Sequence, residues 1–219
     1  MIDTIRGVMD VPFRYSAMNE APEDWEYENV RKKNKHGIQR THIFIHKPSG
    51  LRLGGHSWVN KHEYVGMPKY DDGTPICTWV EVAMPRLINE SNGVLINSAQ
   101  VLEEAYAKLR YRVNQVCDYD QYPRLTRVDL VWQFRGDMHD YINCFRNVRH
   151  PNIRGGTIIY EGETIQWKGH RLDICIYDKL KEKGIRFQGT GTVRAEVRLR
   201  RDAKRIANLC KEVLGGKEL

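Results

Sequence analysis

The chain has no apolar run approaching the roughly 20 residues that a membrane-spanning helix needs. Its start, Met1-Ile-Asp-Thr-Ile-Arg6, lacks the basic stretch and apolar core of a secretory signal. Cysteine is sparse. Cys77, Cys117, Cys144, Cys175 and Cys210 are odd in number, scattered, and form no CxxC pair. This excludes a zinc ribbon and a disulfide-stapled miniprotein, and it fits reduced thiols in a cytoplasm. There is no internal repeat and no low-complexity segment. With 219 residues, 41% of them apolar and 29% charged, the chain is neither disordered nor collagen-like and is long enough for a real core.

Charge is present in excess of one sign. Lysine and arginine number 35 against 28 acids, a net +7. That favours a polyanionic partner, nucleic acid first and a membrane surface second. The excess is uneven. Residues 1–30 hold two arginines and seven acids, whereas residues 31–62 hold eight Lys/Arg, five histidines and no acid. Residues 171–219 hold 13 basic and seven acidic residues. A basic run is either a solvated face or a groove that tracks phosphates, where it releases counterions. Phe44, Trp58, Tyr64 and Tyr70 interleave with or follow the first block, placed either to stack on unpaired bases or to fill a core.

Periodicity organises the chain. Alternation predicts strands at about 2–11, 41–47, 76–84, 125–134, 156–161, 164–168, 171–179 and 192–200. A helix is expected from about 98 to 116, capped by Ser98, with Val101, Leu102, Ala105, Leu109 and Val113 as its apolar stripe. Others are expected at about 137–147 and about 202–214, and Gly162-Glu163 reads as a hairpin turn. The mixed order implies an α+β fold, with a central, largely antiparallel sheet, helices on one face and a polar face on the other. With no strong linker, residues 1–219 read as one domain, with an irregular arm at about 15–40.

Three strands repay close reading, because strand side chains alternate between faces. Leu125–Phe134 puts Arg127, Asp129 and Gln133 on one face. Arg171–Lys179 puts Arg171, Asp173, Tyr177 and Lys179 together, and Thr192–Arg200 does the same for Arg194, Glu196, Arg198 and Arg200. In a shared sheet these faces form one surface. Such a surface can hold nothing beyond cross-strand ion pairs. It can also hold chemistry. Carboxylates bind a hard divalent cation, a tyrosine hydroxyl attacks phosphorus, and cationic side chains stabilise the charge that develops.

The same strands carry a family resemblance. Thr126-Arg-Val-Asp-Leu130, Gly156-Thr-Ile-Ile-Tyr-Glu-Gly162, Ile176-Tyr-Asp-Lys179 with Glu182, and Arg194-Ala-Glu-Val-Arg-Leu199 occur in that order. Together they resemble the rolling-circle replication initiators of filamentous phages, the gene II/X type, and the related initiators and relaxases of plasmids and conjugative elements. Val80-Glu-Val-Ala-Met-Pro-Arg-Leu-Ile88 followed by Asn92-Gly93, and the opening Met1–Ile5, resemble the phage group too. The phage proteins are often longer than this chain.

The resemblance implies a metal-dependent, cytoplasmic endonuclease. It would nick one strand of single-stranded or hairpin origin DNA through a phosphotyrosine, leave a 3′ end for host polymerase and helicase, and later rejoin the strand. A homodimer is compatible with it, and no membrane is involved. By the same resemblance Tyr177 is the nucleophile, assisted by Lys179. Asp129 and Glu196 are the ligands of Mg²⁺ or Mn²⁺, and Arg127, Arg171, Arg194, Arg198 and Arg200 contact DNA. Weaker candidates are Tyr160 as nucleophile and His42 with His46, which share a strand face and could meet at a metal. The competing readings are a non-catalytic single-stranded DNA-binding module and a metal-dependent nuclease that activates water.

Overall fold

The computed structural model describes residues 2–34, 37–59, 74–90, 96–119, 123–149, 158–160, 164–169, 172–179 and 191–200. The chain divides into two compact units, one of Thr4–Thr126 and one of Met1–Asp3 with Arg127–Leu219. The fold is α+β, antiparallel sheet with a few helices packed against it. No helix among the described residues is long and apolar enough to cross a membrane.

In the first unit, β1 (Ile2–Pro12, entering from the other unit), β2 (Trp25–Asn34), β3 (Gly37–His46), β4 (Leu51–Val59) and β5 (Ile76–Ala83) pair antiparallel in the order β2-β3-β4-β5-β1. Three helices accompany them: α1 (Tyr15–Asn19), α2 (Met84–Asn89) and α3 (Ala99–Val116). The sequence places α3 clearly. Ser98 Oγ accepts from the Val101 amide, and Leu102, Ala105, Leu109, Val113 and Val116 bury one stripe. Trp25 Nε1 donates to Gln115 of α3 at 2.9 Å, which ties β2 to that helix.

Two elements depart from expectation. The segment at 15–40 is not an irregular arm but contains α1, β2 and the start of β3. Trp25 and Tyr27 alternate with Glu26 and Glu28; Tyr27 stacks on Phe44 at 4.6 Å and Trp25 meets the same ring edge-on at 6.3 Å. Burial of that aromatic face offsets the cost of ordering so polar a strand. The other is β4, where Gly54-Gly55 interrupts the alternation. A Cβ on Gly54 would sit 2.1 Å from the Trp79 indole, and one on Gly55 only 1.6 Å from the Ile76 carbonyl. These glycines mark a close approach of β5 at a register shift, not a loop.

In the second unit, β6 (Arg124–Gly136), β7 (Ile158–Tyr160), β8 (Thr164–Lys168), β9 (Leu172–Asp178) and β10 (Gly191–Arg200) pair antiparallel in the order β6-β10-β9-β8-β7. Helix α4 (Met138–Phe145) opens at Asp137, whose carboxylate accepts from the His139 amide at 2.8 Å. It lays Met138 and Ile142 on Ile165, Trp167, Ile176 and Val193. This apolar contact fixes which face of β8, β9 and β10 is covered, and so sends their odd–even partners to the other side. The helix expected at 202–214 and the turn at Gly162-Glu163 lie outside the described residues.

Candidate active site

The three polar-faced strands of the second unit lie side by side as β6-β10-β9. Their register arranges the polar positions in rows. Gln133, Arg194 and Tyr177 make one row, Val131, Glu196 and Cys175 the next, and Asp129, Arg198 and Asp173 the third. Alternation on each strand therefore brings together side chains as distant in sequence as Asp129 and Arg198.

Tyr177 and Glu196 are diagonal neighbours in this grid. The Tyr177 hydroxyl donates to Oε2 of Glu196 at 3.2 Å, and Oε1 of Glu196 accepts from Nε of Arg198 at 2.6 Å. Arg127 forks onto Asp129, with Nε 2.8 Å from Oδ1 and Nη2 on Oδ2. Nε of Arg198 stands 3.9 Å from the same Oδ2, so this guanidinium faces both carboxylates. Both acids are buried. Burial, reinforced by the nearby Glu196, lifts Asp129 to about 6, against the opposing pull of Arg127 and Arg198. The ammonium of Lys179 lies 5.7 Å from the Tyr177 ring centroid and is itself buried.

The remaining arginines take different positions. Arg194 was expected to hold phosphate, but it is 1% exposed. Its Nη1 lies 3.5 Å from Oδ1 of Asp3, and the Gln133 amide, turned oxygen-inward, accepts from it at 2.6 and 3.1 Å. Arg194 thus braces the floor beside Tyr177. Arg200 is half exposed and donates to Asp173 at 2.5 Å, and Asp173 also accepts from the Gly169 amide at 3.2 Å. Arg127 and Arg198 keep part of their side chains in solvent, where they can meet an anion. Arg171 lies outside the described residues, as does the side chain of Tyr160, whose backbone pairs with Thr164.

Asp3 and Gln133 are the members that sequence reasoning missed as site residues. Gln133 sits on the correct face of β6, a signal that alternation supplied. Asp3 has no local signal, since its partner Arg194 is 191 residues away.

His42 and His46 lie on β3, in the other unit. They share a face and are buried, but each has its own partners. His42 is 2.6 Å from the Tyr27 hydroxyl and 2.8 Å from Ser57 Oγ, while His46 Nδ1 is 2.8 Å from Ser49 Oγ. Phe44 stands between them in the strand and packs on Phe13 at 5.2 Å. Burial, then the charges of Arg40 and His56, push His42 down to about 4, so it is a neutral hydrogen-bonding member of the core near pH 7.

A hard divalent cation calls for several open oxygen ligands. Here both oxygens of Asp129 accept from Arg127, and the oxygens of Glu196 accept from Arg198 and Tyr177. Among the described residues no three His, Cys, Asp or Glu side chains gather as a metal-holding group. As they stand, these donors do not fit a Mg²⁺ or Mn²⁺ ion. What the arrangement offers is a tyrosine hydroxyl on a carboxylate acceptor, with cations on either side.

No family model matches the chain, and no curated protein matches it. Among solved structures it is similar to a rolling circle replication initiator protein from Geobacillus stearothermophilus. The identity is 14% and the TM-score 0.47, over 98% of this chain and 78% of that one.

Proposed function

We propose that the protein initiates rolling-circle DNA replication by nicking one strand through a covalent bond to Tyr177. The observation that carries this reading is the hydrogen bond from the Tyr177 hydroxyl to buried Glu196, within a row-and-column grid of arginines. An ordinary tyrosine, with a pKa near 10, needs a base or nearby cations to attack at neutral pH. Glu196 takes the phenolic proton as Oη of Tyr177 bonds to phosphorus. The bond from phosphorus to the 3′ oxygen breaks, and that oxygen leaves as the free 3′ end once protonated. Lys179 stabilises the developing phenolate. The partly exposed guanidiniums of Arg127 and Arg198 hold the phosphate oxygens. Rejoining runs the same steps in reverse. No step is routed through a metal.

The test is incubation with an end-labelled single-stranded or hairpin oligonucleotide, followed by denaturing electrophoresis. A protein–DNA adduct that survives SDS, and that Tyr177→Phe abolishes without loss of DNA binding, supports the reading. Cleavage without an adduct points to a water-using nuclease, and binding without cleavage points to a non-catalytic module. Either result overturns it.

A further inference from the structure

Arg194 is a positive charge buried inside the candidate site, in register with Gln133 of β6 on one side and Tyr177 of β9 on the other. A buried guanidinium needs an anion to compensate it. Two buried carboxylates are candidates for that role. Glu196 lies two residues further along β10 and so on the same face. Asp3 comes from the start of β1, in the same compact unit as Tyr177.

The guanidinium turns to Asp3. Nη1 of Arg194 lies 3.5 Å from Oδ1 of Asp3. The Gln133 oxygen accepts from Nη2 at 2.6 Å and from Nε at 3.1 Å. Because β6 and β9 flank β10 on opposite sides, the contact with Gln133 draws the guanidinium away from Tyr177. Glu196 meanwhile gives Oε1 to Arg198 and Oε2 to the Tyr177 hydroxyl.

We propose that Asp3 is a positioning residue for Tyr177: by holding Arg194 it keeps that guanidinium off Glu196 and leaves Oε2 to the phenol. The consequence for nicking rests on the phosphotyrosine reading, whereas the placement of the side chains can be observed without DNA. The physical basis is competition for one oxygen. A guanidinium forms a stronger, doubly charged hydrogen bond to a buried carboxylate than a neutral phenol does. Without the Asp3 charge, Arg194 is stranded, and Glu196 is the acid beside it on the same strand and face. Arg194 then takes Oε2 and displaces the Tyr177 hydroxyl.

The experiment is NMR of the full chain labelled at the tyrosine ring Cζ, with the Tyr177 signal assigned by its loss in Tyr177→Phe. Thermal melting and single-turnover adduct formation on a hairpin oligonucleotide run beside it. Asp3→Asn should shift the Tyr177 signal and slow adduct formation roughly tenfold, with DNA affinity held. Asp3→Glu should keep the wild-type signal. In Asp3→Asn/Arg194→Gln no guanidinium is left to compete. The signal, most of the rate and the Tm lost in the single variant should then return. The double variant strands no charge, so it tests the idea even where Asp3→Asn folds poorly. A merely structural role predicts instead that the two losses add. An unmoved Tyr177 signal in Asp3→Asn overturns the inference, as does a double variant no better than Asp3→Asn. Signals that follow the expected pattern in a chain that forms no adduct support the placement of Arg194 and refute the nicking reading alone.

Discussion

Tyr177 of β9 donates its hydroxyl proton to Glu196 of β10 at 3.2 Å, across one step of the sheet register. Neither residue is near the other in sequence, and the contact exists because both strands bury their apolar faces under α4. Glu196→Gln keeps an acceptor oxygen but loses the base. Adduct formation should fall by about a hundredfold while DNA affinity and Tm hold. Rates in single-turnover experiments check this. A variant as fast as wild type would reduce Glu196 to a positioning role.

Burial lifts the Asp129 carboxyl to about 6 in the folded chain, above the usual carboxylate range. The folded state holds this proton more tightly than the unfolded state. The stability it contributes is therefore complete below about pH 4 and is lost as pH rises through about 6. Asp129→Asn removes that dependence, so its stability relative to wild type should improve between about pH 4 and pH 6.5. Urea midpoints at the two pH values measure the effect, and a constant difference between the proteins contradicts it.

The same residue tests the metal question separately. With Arg127 forked onto its carboxylate, Asp129 is an acceptor for a guanidinium. Any dependence of nicking on Mg²⁺ or Mn²⁺ concentration should have the same midpoint in wild type and Asp129→Asn, whatever happens to the maximal rate. A large rise in that midpoint in the variant would place a cation on Asp129.

Ile142 of α4 is buried against the apolar face of β8 to β10. Ile142→Ala should cost about 3 kcal/mol by denaturant unfolding, through lost transfer energy and a residual cavity. Because α4 determines which face the polar residues occupy, nicking should fall in step with the folded fraction. Full stability in the variant would show that α4 does not anchor the sheet.

Much of this was legible in the sequence, for local reasons. A cap and a stripe announce α3, and strict alternation sorts Arg127, Asp129, Tyr177, Glu196 and Arg198 onto one face before any pairing is known. What was hidden depended on distant partners. Strand β2 looks like a polar arm until Phe44 arrives beside Tyr27, and β4 is absent from the alternation because Gly54-Gly55 makes room for Trp79 and the Ile76 carbonyl. The role of Arg194 shows the same limit. Its face predicted a phosphate contact, but Asp3 turns it into a buried brace.

The central claim is a covalent bond between DNA phosphate and the oxygen of Tyr177. Its most direct test is mass spectrometry of the SDS-resistant adduct after nuclease and trypsin digestion. The account predicts a phosphonucleotide carried on the peptide Leu172–Lys179, at Tyr177. A nucleotide found on Tyr160 instead, or on no tyrosine, would contradict it.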